Sequence, residues 1–105
     1  MKKIYISGQI TGLTPEVFNN NFIQAKDDVY YTFKLVKNIE HKTISPLDLN
    51  PFLGIKSWLC YMIIDIHHLR KCTHIAMQKN WIHSRGAHIE HYLAKFIFKL
   101  EVIYL

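Results

Sequence analysis

Short runs rich in β-branched and aromatic residues alternate along this chain with longer stretches of helical periodicity, and no other feature constrains the fold as much. Residues 3–7 (KIYIS) form the first such run and stop at Gly8. The GQITGLTP segment that follows holds two glycines and a proline, which predicts a loop. Thr14, Pro15 and Glu16 then supply a capping hydroxyl, a proline suited to the first helical turn and an early acid. Val17 or Phe18, Phe22, Ala25 and Val29 share one face, so a helix is expected to about Tyr31. Residues 33–39 alternate well enough to predict a second strand, and SPLDLNP reads as a proline-bracketed loop with a short turn inside it. Ser57 is expected to cap a second helix, with Trp58, Tyr61, Met62, Ile66 and Leu69 at helical spacing. A third strand is predicted at 73–77 (THIAM), a polar loop around Trp81 at 78–83, a third helix from Ser84 to about Phe98, and a fourth strand at 101–105 (EVIYL).

Each connection is long enough for a crossover, which predicts a parallel sheet covered on both faces. Right-handed crossovers favour a doubly wound α/β layout, flavodoxin- or Rossmann-like, with about four strands in the order 2-1-3-4. The 105 residues show no internal repeat and no linker, so residues 1–105 are expected to form a single domain. In such sheets ligands bind at the carboxyl ends of the strands, beside the switch in strand order. Those ends are residues 8–12 and 78–86.

Composition then narrows the function. With 50% apolar and 20% charged residues the chain has the balance of a folded globular domain, which excludes a disordered tail or a fibre. A chain of this size buries only about two thirds of its unfolded surface, so a homo-oligomer is expected. The formal charge is +5, but eleven of the 13 basic residues are scattered lysines and only Arg70 and Arg85 are arginines. Arginine supplies the planar fork that reads bases and grips phosphates in pairs, so the charge implies a mild attraction for anions and counts against a nucleic-acid partner.

Cys60 and Cys72 are too few for a disulfide framework, and their apolar surroundings predict buried thiols in a reducing compartment. The two N-terminal lysines are not followed by a signal-peptide core, and no apolar run nears the ~20 residues of a membrane span. A cytoplasmic protein with no membrane partner is the expectation. Of the 7 histidines only His88 and His91 share a helix face, at i and i+3, and no Cys-x-x-Cys accompanies them. No metal and no other cofactor is expected.

Chemistry could sit in two places. Asp65 falls on the apolar stripe of the second helix, where a carboxylate is costly unless bonded, paired or employed. Ser84-Arg85-Gly86-Ala87 opens the third helix with a hydroxyl, small residues and free backbone N–H groups, a general anion site. Glu90 lies one turn further in, among Gly86, Ala87, Leu93 and Ala94. Singly, each has an ordinary explanation: an edge aspartate bonding a loop, a plain helix cap, a surface glutamate. Together, on adjacent elements, they are more informative.

KIYISGQITGL, SPLDLNP, MIIDIHHLRKC and NWIHSRGAHIEHYLA also occur here in an order that resembles the nucleoside 2-deoxyribosyltransferase superfamily. Within it the chain looks like a small bacterial and phage family, a domain of unknown function, similar to the branch of 2′-deoxynucleoside 5′-phosphate N-hydrolase. The resemblance implies cleavage of the N-glycosidic bond of a 2′-deoxynucleoside or its 5′-monophosphate. It implies Glu90 as the nucleophile, Asp65 as the carboxyl that handles the base and its proton or holds the sugar, and Tyr5 as the residue that orients Glu90. It assigns Gly8, Gln9 and Ile10 to the sugar and base, and Ser84, Arg85 and Gly86 to the phosphate. Gln9 stands where the family's loop has proline, Asn80 precedes Trp81 where it has glycine, and Lys99–Leu100 replaces a common glycine turn. Nothing here matches the residue a neighbouring subunit contributes in the transferases, which favours hydrolysis over base exchange.

The expected function is therefore an N-glycosidase for a nucleoside 5′-phosphate, working through a covalent glycosyl-glutamate. The alternative is a nucleotide sensor or sponge that uses the same pocket without turnover.

Overall fold

A computed structural model of the protein describes residues 1–49 and 58–105. Four strands, β1 (Lys2–Ser7), β2 (His41–Ile44), β3 (His74–Met77) and β4 (Glu101–Tyr104), form one sheet in the order β2-β1-β3-β4. Every pairing is parallel, with Tyr5 beside Ile44 and Ile75, and Ile75 beside Val102. The doubly wound α/β architecture and its strand order are those expected from the alternation of elements.

The two inner strands are buried on both faces, as parallel strands flanked by helices must be. Ile4, Tyr5, Ile6, Ser7, Ile75, Ala76 and Met77 have no exposed surface. Alternation sorts them into two layers. Ile4, Ile6 and Ala76 pack against Phe22, Ala25 and Val29 of α1 (Pro15–Tyr30) and against Phe33 beyond it. Tyr5, Ile75 and Met77 face the other way, toward Leu69 of α3 (Trp58–Leu69), Cys72, and Ala87 of α4 (Arg85–Tyr92). A short helix, α2 (Pro46–Leu49), occupies the start of the SPLDLNP segment. Both long helices whose starts lie among the described residues begin as the sequence indicates. Thr14 accepts from the Val17 N–H at 3.4 Å, and Ser84 from the Ala87 N–H at 3.1 Å. The expected cap at Ser57 lies outside the described residues.

The second strand is not at residues 33–39. Phe33 sits one turn beyond Val29 and continues the buried row of Phe22, Ala25 and Val29, so burial against the sheet keeps the chain helical. A π-helical turn spans Tyr31–Val36, and Asn38 then reverses the chain with φ 53°. Only after that does the chain enter β2, a half-exposed edge strand with no apolar alternation. α4 ends in the same way, through a π-helical turn at Leu93–Ile97 and then Lys99 at φ 55°. This is the left-handed conformation that a glycine adopts without strain, held here by a lysine.

Cys72 is buried as expected, but Cys60 is exposed. The helix turns Met62, Asp65 and Leu69 inward, and position 60 falls on its outer side. Among the described residues no helix is long and apolar enough to cross a membrane.

Candidate active site between the first strand and the third and fourth helices

The carboxyl ends of β1 and β3 open onto a cavity of about 570 Å³ on the α3 and α4 side of the sheet. The loop after β1 supplies Gly8, Ile10 and Thr11 to its wall, and α3 supplies Trp58, Tyr61, Met62 and Asp65. The opposite wall is the start of α4: Ser84, Arg85, Gly86, Ala87 and Glu90. Close approach of α4 to α3 depends on Gly86, where a Cβ would come within 3.1 Å of Met62 Sδ.

Glu90 is the centre of this arrangement. It is only 3% exposed, and both of its oxygens are held. The Tyr5 hydroxyl donates to Oε2 at 2.5 Å, and the Ser7 hydroxyl donates to Oε1 at 2.7 Å. The parity of β1 explains this grip: Tyr5 and Ser7 are two residues apart, so both project from the face that α4 covers. Tyr5 therefore fixes the position of the Glu90 carboxyl. Ser7 does the same work and was not anticipated; its signal was its position two residues after Tyr5 on the same strand.

Burial, and after it the negative charge of Asp65, push the Glu90 carboxyl up to about 8, against the downward pull of the Tyr5 and Ser7 hydrogen bonds. Burial and then the Glu90 charge hold the Tyr5 hydroxyl well above its ordinary range, so it remains a donor. Asp65 is 5% exposed and reaches the cavity from α3. Two buried carboxyls, Asp65 on α3 and Glu90 on α4, thus meet at one cavity, an arrangement that can divide acid and base work between them.

The Ser84 oxygen accepts from the Ala87 N–H, which leaves its O–H able to donate beside the first turn of α4. The Arg85 guanidinium lies over the Trp58 ring, 4.4 Å from its centroid, at the mouth of the cavity. Gly8 and Ile10 line the cavity as expected, but Gln9 does not. Its backbone N–H donates to Asn80 Oδ1 at 3.2 Å and its side chain to the Thr11 carbonyl at 3.1 Å, so Gln9 braces the loop from behind. Trp58, Tyr61 and Met62 were expected on the apolar stripe of the helix; Met62 is buried there, and all three also form the apolar and aromatic wall of the cavity.

Comparison with known proteins adds one relationship. A family model described as a domain of unknown function, DUF4406, matches residues 2–104, and no curated protein matches the chain.

Proposed function

We propose that this chain, which belongs to the DUF4406 family, is an N-glycosidase acting on a nucleoside 5′-phosphate, with the 2′-deoxy sugar as the best-suited substrate. One observation carries the reading: a glutamate buried at the floor of a cavity, gripped by two hydroxyls and faced by a second carboxyl. A surface or purely structural glutamate has no need of that setting, and desolvating it costs stability.

In the proposed reaction a Glu90 oxygen attacks C1′ and the bond from C1′ to the base nitrogen breaks. The bonding pair leaves with the base, which takes from Asp65 the single proton that the two carboxyls share at neutral pH, passed to Asp65 as Glu90 attacks. The sugar is then held as an ester of Glu90. Water adds to C1′, gives its proton to Asp65, and the Glu90 carboxylate is restored as sugar phosphate departs. Tyr5 and Ser7 keep the attacking carboxylate in place throughout. Trp58, Tyr61 and Met62 offer the flat apolar wall that suits a base, and Arg85 with the first turn of α4 would take the phosphate. The cytoplasm, where nucleotides and reduced thiols coexist, is the compartment this implies.

Assembly of copies belongs to the same reading. Tyr30, Tyr31, Leu35 and Val36 leave large apolar surfaces exposed at the end of α1.

One observation favours a second reading, nucleotide binding without turnover. With its carboxyl at about 8, Glu90 is largely protonated at neutral pH in the empty cavity, and a protonated nucleophile does not attack. A single experiment separates the two: chromatography of free base released from a panel of nucleosides and nucleoside 5′-monophosphates. The glycosidase reading expects release from a monophosphate that is lost as pH rises through about 8, where the two carboxyls give up the proton that the departing base needs. Binding of a monophosphate with no base released at any pH would leave only the sensor.

A further inference from the structure

Basic residues that look scattered along the sequence are gathered by the fold. In this parallel sheet each long helix returns the chain from the carboxyl ends of the strands to their amino ends. The starts of β1 and β2 and the turns after α3 and α4 therefore meet at the end of the sheet opposite the Glu90 cavity. Lys3, Lys42, Arg70, Lys71, Lys95 and Lys99 lie there. Pleat parity puts the first two on the α3 and α4 side, since Lys3 shares the face of Tyr5 and Lys42 the face of Ile44. They stand directly opposite each other in register, a position in which like charges repel. The other four follow α3 or α4 on the same side of the sheet.

Among the described residues no carboxylate is paired with any of these six. The acids at the same end are held on the other side of the sheet. Glu40 pairs with Lys34 beyond α1, and Glu101 pairs with His74, whose ring meets Phe33. The remaining acids lie on α1, on α2 or in the Glu90 cavity. The charge acts on its surroundings: Lys71 first, then desolvation and Arg70, hold the His67 imidazole below its ordinary range. Large apolar side chains stand beside the cations. The Tyr92 and Phe96 rings lie 5.3 Å apart, and both residues and Ile97 are more than half exposed. The Lys95 ammonium reaches over the Phe96 ring, 5.5 Å from its centroid.

We propose that this end of the molecule docks on the surface of an anionic lipid bilayer, its six cations against the headgroup phosphates and Phe96 and Ile97 dipping into the acyl boundary. Attachment of this kind needs no crossing helix. It needs apolar burial and attraction to anionic lipid together, and the patch supplies both. A nucleic-acid backbone would use the cations but leaves Ile97 without a role. Lysines in place of arginines also suit headgroups better than paired contacts to bases. Docked in this way the protein holds the Glu90 cavity at its far end, open to water, so the proposal does not depend on what that cavity does.

Co-sedimentation with lipid vesicles tests this. The protein is expected to pellet with vesicles of equimolar phosphatidylcholine and phosphatidylglycerol, to do so less as salt is raised, and to stay in solution with phosphatidylcholine alone. Lys42→Gln and Lys71→Gln should each weaken binding about fivefold, the loss expected for one lysine at an anionic surface. Phe96→Ser should weaken it by a similar factor or more. Lys79→Gln, at the other end of the sheet, should bind as wild type does. All four side chains are exposed, so the variants should keep the wild-type melting temperature. No pelleting with the anionic vesicles at low salt would overturn the proposal, as would equal losses from Lys79→Gln and Lys71→Gln or wild-type binding by Phe96→Ser. Retention of a single-stranded oligonucleotide by protein that ignores the vesicles would overturn it too, and assign the patch to nucleic acid.

Discussion

Glu90→Gln is expected to lose base release by about 10⁴-fold or more while still binding the nucleotide. Glutamine matches glutamate in shape and can still bond Tyr5 and Ser7, so the cavity should keep its form. What disappears is the nucleophile, and with it the covalent route through the sugar ester. Equilibrium binding of the monophosphate, measured beside base release, distinguishes this from misfolding: binding should survive and turnover should not. Full turnover in the variant would remove Glu90 from the chemistry.

The same substitution should stabilise the protein, and increasingly so as pH rises. In the unfolded chain a glutamate loses its proton near ~4.3. In the folded chain Glu90 keeps it to about 8. Between these values the native state holds a proton that the unfolded state has released, so stability falls as pH rises. The contribution is fully present below the unfolded value and is lost through the folded one. Glutamine does not titrate and escapes the loss. Wild type and Glu90→Gln are therefore expected to melt together near pH 4 and to separate above it. By pH 9 the gap should be on the order of 3–5 kcal/mol in favour of the variant. Melting curves across pH check this directly. A gap that stays constant from acid to alkali would mean that Glu90 keeps an ordinary carboxyl in the folded protein. The two expectations belong together: a carboxyl kept desolvated for chemistry is a standing cost to the fold.

Much of this was legible in the sequence, and the exceptions have physical causes. The alternation of elements fixes a parallel sheet because each crossover is long, and burial on both sides follows from it. Asp65 and Glu90 stood out because each is a carboxylate on a helix face otherwise made of apolar or small residues. Residues 33–39 misled because a run such as F-K-L-V-K can alternate and also continue a helical face. Phe33 found its place under Val29, and tertiary burial decided between the two. The true second strand carried little signal, since an edge strand reading H-K-T-I needs no apolar alternation.

At the site, Ser7 was hidden by its position at the end of a strand, where a serine reads as the beginning of a turn. Its role becomes visible only when β1 is seen to turn Tyr5 and Ser7 toward α4. Gln9 was misplaced for the opposite reason. It lies in the right loop, but that loop's wall is made by its neighbours Gly8 and Ile10 while Gln9 ties it to Asn80. The stripe of α3 gave the correct inward face, yet periodicity cannot distinguish a face that meets other side chains from one that meets a cavity.

The account rests on a sugar ester at Glu90, and that bond can be looked for. A nucleoside 5′-monophosphate whose sugar carries fluorine at C2′ destabilises the positively charged transition state of the second step, so an ester formed in the first persists. Incubation with this analogue followed by peptide mass spectrometry should find one sugar phosphate on the peptide containing Glu90 and none in Glu90→Gln. Label on a different residue, or an unlabelled Glu90 in protein that releases the base from the natural nucleotide, would contradict it.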